Sequence, residues 1–290
     1  VQALYNIVDS IFVAQLSENA LTAVSMAFPI QNLMIGMATG IGVGMNAFVS
    51  KNLGQHNQEG VNKSALHGIF LELINYLIFL CIGLFVVNKF MKTQTNIAEI
   101  VDSGTTYLRI VCICSFGIFT QVSFERLLQS TGKTLLSMTT QLTGAIINII
   151  LDPILIFGLF GMPKLGIAGA AIATVIGQII AGIFAVVLNI KKNKEIHLHL
   201  KGFKLEKKYI GRILYVGVPS VLMVAIGSVM SYGMNLILMT FSSTAVAVFG
   251  AYYKLQSFVF MPIFGLNNGM VPIVSFNLGA KNKDRLVKTV

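Results

Sequence analysis

Residues 50–57 read SKNLGQHN, and residues 275–282 read SFNLGAKN. At the same shift of 225 positions the match extends outward without a gap. It pairs Ser17/Ser242, Ala20/Ala245, Gln31/Gln256, Gly40/Gly265, Gly44/Gly269, Met45/Met270 and Val49/Val274, then Lys63/Lys288 beyond the loop. Chance likeness between two apolar stretches does not carry on through a polar loop. The chain therefore contains a repeat. The copies fall on the second and eighth apolar runs, an offset of six runs. That number is even, so both copies run in the same direction, and the repeat is parallel about an axis along a membrane normal.

The membrane follows from composition. The chain is 55% hydrophobic and only 11% charged, with a mean hydropathy of +0.78, where soluble domains carry about 25% charged residues. Such a chain cannot cover itself with polar surface. Apolar runs of about the 20 residues needed to cross a bilayer fall at 1–16, 21–49, 62–88, 103–125, 134–160, 166–190, 210–241 and 244–276. Most of the 21 Lys and Arg lie in alternate connections: Lys51 and Lys63; Arg126 and Lys133; the cluster from Lys191 to Arg212; and Lys281, Lys283, Arg285 and Lys288. The other connections hold only Lys89, Lys92 and Lys164. Basic residues gather on the cytoplasmic side, so Val290 is expected in the cytoplasm. The net charge of +10 then reflects topology in a multi-pass plasma-membrane protein and not nucleic-acid binding.

The expected fold is an all-α polytopic membrane protein with two parallel-repeat six-helix lobes, the second truncated. Residues 1–190 form an N-terminal lobe of six helices. Residues 191–209 form a cytoplasmic linker, with His197 and His199 read as solvated. Residues 210–290 start a second lobe. Val1 already lies in an apolar run, so the chain is expected to lack the start of its first helix and about the last four helices.

The candidate site starts from Asp9, a carboxylate in an otherwise apolar segment. On a helix it shares a face with Gln2, Tyr5 and Asn6. An acid at mid-membrane costs roughly 2.5–3.5 kcal/mol on insertion scales, so it needs a function or a partner. In the fifth run, Gln141, Gly144, Asn148 and Asp152 share a face. Asp152 precedes Pro153 and reads either as the cap of a restarting helix or as a second carboxylate facing Asp9 beside a broken helix. In the sixth run Thr174 and Gln178 form a polar stripe among Gly166, Gly169, Ala170, Ala173 and Gly177, small residues that suit close helix packing. Lys254 and Gln256 are candidates to line a cavity in the second lobe. Glu72, with His67 nearby, is a further intramembrane acid.

Other chemistries lack their residues. There is no phosphate-binding Gly-rich loop ending in Lys-Ser/Thr, which disfavours nucleotide-driven transport. An intramembrane aspartyl protease would need a Gly-x-Gly-Asp motif, which is absent. Cys81, Cys112 and Cys114 sit in apolar runs at spacings unsuited to a metal. No enzyme is expected.

Tyr5-Asn-Ile-Val-Asp9, the Asn-Leu-Gly loop with its repeat, and Asn148-Ile-Ile-Leu-Asp152-Pro153 together resemble the multidrug and toxic compound extrusion (MATE) family, in its prokaryotic MepA-like branch. The resemblance implies a MATE/MOP-type fold and secondary active efflux of amphipathic, often cationic organic compounds. It implies coupling to H+ or Na+ at a site formed by Asp9, Asn148, Asp152 and Thr174, with Na+ held by the first three. No other cofactor and no obligate protein partner is expected; drugs, toxic organic cations and membrane lipid are the contacts. Some family members use an acid in the seventh helix, but residues 213–241 contain none. Two alternatives remain at this point: a flippase for lipid-linked oligosaccharide or peptidoglycan precursors, and a channel or membrane scaffold without coupled transport.

Overall fold

The computed structural model describes residues 2–198 and 203–289; the side chains of residues 2–7, 254, 257, 258, 261 and 264 are not described. Among the described residues every expected apolar run is mainly helical. The helices are α1 (Gln2–Ala14), α2 (Glu18–Gly54), α3 (Gln58–Cys81), α4 (Val87–Gln94), α5 (Ala98–Ile113), α6 (Phe116–Ser130), α7 (Thr134–Phe157), α8 (Ile167–Lys192), α9 (Lys207–Met239), α10 (Ser243–Gly279) and α11 (Lys283–Thr289). A π-helical turn, Ile82–Val86, joins α3 to α4. By length and composition, five helices among the described residues can cross a membrane: α2, the joined α3–α4, α7, α8 and α9. The α5–α6 pair, bent by 47°, is a sixth.

Two expectations are corrected. The fourth span does not end at residue 125: α6 continues to Ser130 and carries Glu125 and Arg126 inside the bundle, both buried. Nor does the fifth span break at Pro153. A proline removes one backbone hydrogen bond and crowds the preceding turn, but α7 runs through it to Phe157. It stops at Gly158, whose φ of 75° is the left-handed cap a glycine adopts without cost. Asp152 is therefore an interior helical residue and not a cap.

The repeat found in sequence recurs atom by atom. Ser17 Oγ accepts the Ala20 N–H at 3.0 Å, and Ser242 Oγ accepts the Ala245 N–H at 3.0 Å, so both long helices start from the same N-cap. At their far ends His56 and Lys281 both turn left-handed, at φ 54° and 55°. Asn57 N–H then bonds Asn52 O at 2.9 Å, and Asn282 N–H bonds Asn277 O at 3.0 Å. These six-residue closures satisfy carbonyls that the helix end would leave bare. Asn57 and Asn282 next cap the following helices through Gly60 N–H and Arg285 N–H. The Asn-Leu-Gly loop is thus a helix stop and helix start in one.

The two copies also meet. The ring of Phe28 lies edge-on to that of Tyr253, its partner at 225 positions, with centroids 5.5 Å apart. A Cβ on Gly54 would lie 2.1 Å from Phe276 O, and one on Gly279 would lie 2.2 Å from Lys51 O, again as mates. A pseudo-two-fold axis therefore passes between α2 and α10. α2 also packs closely along α9. Gly36 faces Val224, Gly40 faces Val221 and Gly217, and Gly44 faces the Ile213 carbonyl, with a Cβ on each closer than 3.0 Å to its neighbour. Small residues four apart let the backbones touch.

Candidate functional site

Backbone contact between α7 and α8 sets the site. Gly144 and Gly177 lie back to back: a Cβ on Gly177 would be 2.8 Å from Gly144 O, and one on Gly144 would be 3.1 Å from Gly177 O. The helices run in opposite directions. Moving one turn on from Gly144 reaches Asn148, and moving three residues back from Gly177 reaches Thr174. The Asn148 amide donates to Thr174 Oγ1 at 3.3 Å and to Asp152 Oδ1 at 3.3 Å. Both N–H bonds are thus directed to the Asp152 side. α1 packs on α7 through an edge-on Phe12–Phe157 pair, 6.3 Å between centroids, and this brings Asp9 into electrostatic contact with Asp152.

Asp9, Asn148, Asp152 and Thr174 are all buried, Asp152 completely. Asn148 Oδ1 and Asp152 Oδ2 have no hydrogen-bond partner among the described residues. Buried polar atoms are nearly always bonded, and a carboxylate with a neutral amide oxygen is an oxygen donor set suited to a proton or a hard monovalent cation. No group of three or more His, Cys, Asp or Glu that could hold a metal ion occurs among the described residues.

Gln141, two turns before Asn148 on the same helix face, lines a cavity with it, and its amide donates to Glu125 Oε2 at 2.8 Å. Glu125 Oε1 also accepts from Gln121 Nε2 at 2.9 Å and from Thr140 Oγ1 at 3.0 Å. Sequence reading missed Glu125 because it stands at the end of its apolar run, where an acid reads as loop. The signal was Gln121, four residues before it on the same face. Between Glu125 and Asn148 lies a cavity of about 50 Å³, lined by Gln141, Thr174 and Gln178 among others.

The remaining candidates scatter. Gln2, Tyr5 and Asn6 sit on α1 and Lys254 on α10, but their side chains lie outside the described ones, as does His199. Gln256 is exposed. Glu72 is buried, accepting from Asn75 Nδ2 at 3.1 Å. His67 holds the linker instead: its Nδ1 lies 2.7 Å from Lys63 O, and its Nε2 accepts the Glu206 N–H at 2.9 Å. Lys63 reinforces this with Glu206 at 2.6 Å. The three cysteines are free thiols.

The MatE family model matches residues 1–154 and 219–290. The chain belongs to the MatE family. The multidrug export protein MepA of Staphylococcus haemolyticus is 30% identical over 288 residues, which cover 99% of this chain and 63% of that protein. The MATE multidrug transporter DinF-BH, solved as a complex with a bound compound, is 29% identical with a TM-score of 0.92, over 99% of this chain and 64% of the other. An inward-facing multidrug resistance MATE family transporter of the MOP superfamily is 27% identical with a TM-score of 0.85, over 100% and 65%. The chain thus spans less than two thirds of the length of these MatE relatives. Its architecture is that of the MATE/MOP transporters, all-helical among the described residues, and its family is one of membrane transporters and not of enzymes.

Proposed function

We propose that the whole protein is a secondary active exporter of amphipathic, often cationic organic compounds, and that influx of H+ or Na+ through Asp9, Asn148, Asp152 and Thr174 drives it. The observation that carries this reading is the buried set on α1, α7 and α8, where two interacting carboxylates share one apolar core with the unpartnered oxygens of Asn148 and Asp152. Two charges there repel, and each loses hydration. A bound cation removes the repulsion and favours whichever helix arrangement brings the carboxylates closest. A ligand shifts a conformational equilibrium by its differential affinity for the two states.

Substrate class follows from the relatives, one of which is named as a multidrug export protein and another as a multidrug transporter held in a complex. Residues 1–190 are proposed as one lobe, 191–209 as the cytoplasmic linker and 210–290 as part of a second lobe, in a plasma-membrane protein. The basic connections support a cytoplasmic Val290.

The test is efflux from proteoliposomes holding the full-length protein, with a pH gradient or a sodium gradient imposed alone. Asp9→Asn and Asp152→Asn should each abolish gradient-driven efflux while leaving the yield and melting temperature of the inserted protein near wild type. Wild-type rates in both variants overturn the proposal.

A further inference from the structure

The cavity between α2, α6, α7 and α8 adjoins the site just described, sharing Asn148 and Thr174 with it, and carries further cation ligands in its walls. Asn148 directs both amide N–H bonds to Asp152 and Thr174, which leaves its Oδ1 for the cavity it lines. That oxygen has no partner among the described residues. Gln178, 92% buried, lines the same cavity, and its Oε1 is likewise unpartnered. Buried acceptors are nearly always bonded, and here two orphaned ones line one space. At the far end stands the buried carboxylate of Glu125. The volume of about 50 Å³ holds three to five waters at roughly 10–15 Å³ each, or a monovalent cation with part of its shell.

We infer that this cavity is a second site for the coupling cation, a hydronium or a sodium ion, with Glu125 supplying charge and the Asn148 and Gln178 carbonyl oxygens supplying neutral ligands. The inference rests on the function proposed above and extends it: Asn148 is common to the two sites, its amide held by Asp152 and Thr174 and its one unpartnered oxygen available to a cation in either. Glu125 is equipped to change state. Three donors occupy three of about four acceptor positions on its carboxylate. One of them, the Thr140 hydroxyl, already has an alternative acceptor in Ser137 O at 2.7 Å, so it can yield when a proton or cation arrives.

A polar track continues outward from there. Gln129 donates to Ser137 Oγ at 2.9 Å and accepts from Arg126 at 3.0 Å, which leads to the turn at 131–133, a basic connection assigned to the cytoplasm.

The experiment uses the full-length protein in proteoliposomes and measures counterflow against cation concentration, with H+ alone and with Na+ alone. Glu125→Gln should raise the half-saturating concentration of the coupling cation at least tenfold, with drug affinity at equilibrium in detergent within twofold of wild type. Gln178→Leu leaves the three hydrogen bonds of Glu125 in place and removes one cavity oxygen. It should raise the half-saturating concentration about threefold, and it decides the matter if Glu125→Gln fails to fold. The H+ and Na+ arms identify which ion occupies the cavity. Wild-type cation dependence in the folded variants overturns the inference. If Asp152→Asn still abolishes counterflow in that case, the first site stands and only the second falls.

Discussion

The contact of Gly54 and Gly279 with each other's helix makes a mechanical prediction. A Cβ on Gly54 falls about 1.3 Å inside the 3.4 Å at which ordinary contact begins, and what it meets is a backbone carbonyl. No rotamer can move out of the way, so α2 and α10 must part at that end. Gly54→Ala and Gly279→Ala act on one junction, and separating the helices relieves both clashes. Their effects should therefore be less than additive. Overpacking of this kind costs about 1–3 kcal/mol, which shifts an equilibrium between touching and separated helix ends by roughly 5–150-fold.

Spin labels at Glu59 and Asp284 report on it. These are repeat mates, both exposed, one turn beyond the loops. With the three native cysteines replaced by alanine, the double-alanine protein should show its distance distribution moved to longer values. Gly233→Ala on α9 is the control, because nothing lies within 4 Å of its added methyl. It should leave the distances unchanged and stabilise its helix by up to about 1 kcal/mol. An unchanged distribution in the double-alanine protein would show that this contact does not limit how closely the two helix ends approach, and the reasoning fails.

Two further outcomes follow from the structure. Gly177→Leu, which drives a side chain at Gly144 O and the Asn148 Cβ, should break the Asn148–Thr174 bond. The expected result is a loss of about 1–3 kcal/mol of stability together with at least a tenfold rise in half-saturating cation, read by thermal melting and counterflow; unchanged counterflow would separate the helix contact from the site. His67→Phe removes the acceptor of the Glu206 N–H and should weaken linker docking by about 1–3 kcal/mol, seen as faster protease cleavage near 194–206, with His67→Gln closer to wild type; equal cleavage rates in all three would refute the docking role.

Much of the fold was legible because membrane helices write themselves in long apolar runs, and a repeat that crosses a polar loop is hard to imitate. Ser17, His56 and Asn57 recur as Ser242, Lys281 and Asn282, and the structure gives each pair one task. His56 and Lys281 show why identity is the wrong measure: both take a left-handed conformation, at φ 54° and 55°, that neither residue type announces. The ends of spans were less legible. Lipid ends an apolar run wherever charges appear, but a lobe interior also tolerates charge when partners are supplied. Glu125 looked like the edge of the membrane because two of its donors, Thr140 and Gln141, come from α7, while its neighbour Arg126 points to Gln129.

The site was legible in type more than in arrangement. Asp9, Asn148 and Asp152 stand out as polar residues in apolar runs, and spacing alone puts Asn148 and Asp152 one turn apart. Spacing cannot choose between Gln141 and Thr174 as the next neighbour, since Gln141 shares their helix face and Thr174 belongs to another helix. The glycines decide it. Contact between Gly144 and Gly177 fixes the register of α7 against α8, so Thr174 meets the Asn148 amide while Gln141, two turns away, turns to Glu125. The residues without side chains therefore determine which polar side chains meet, and the cavity between Asn148 and Glu125 is the space that this register leaves open.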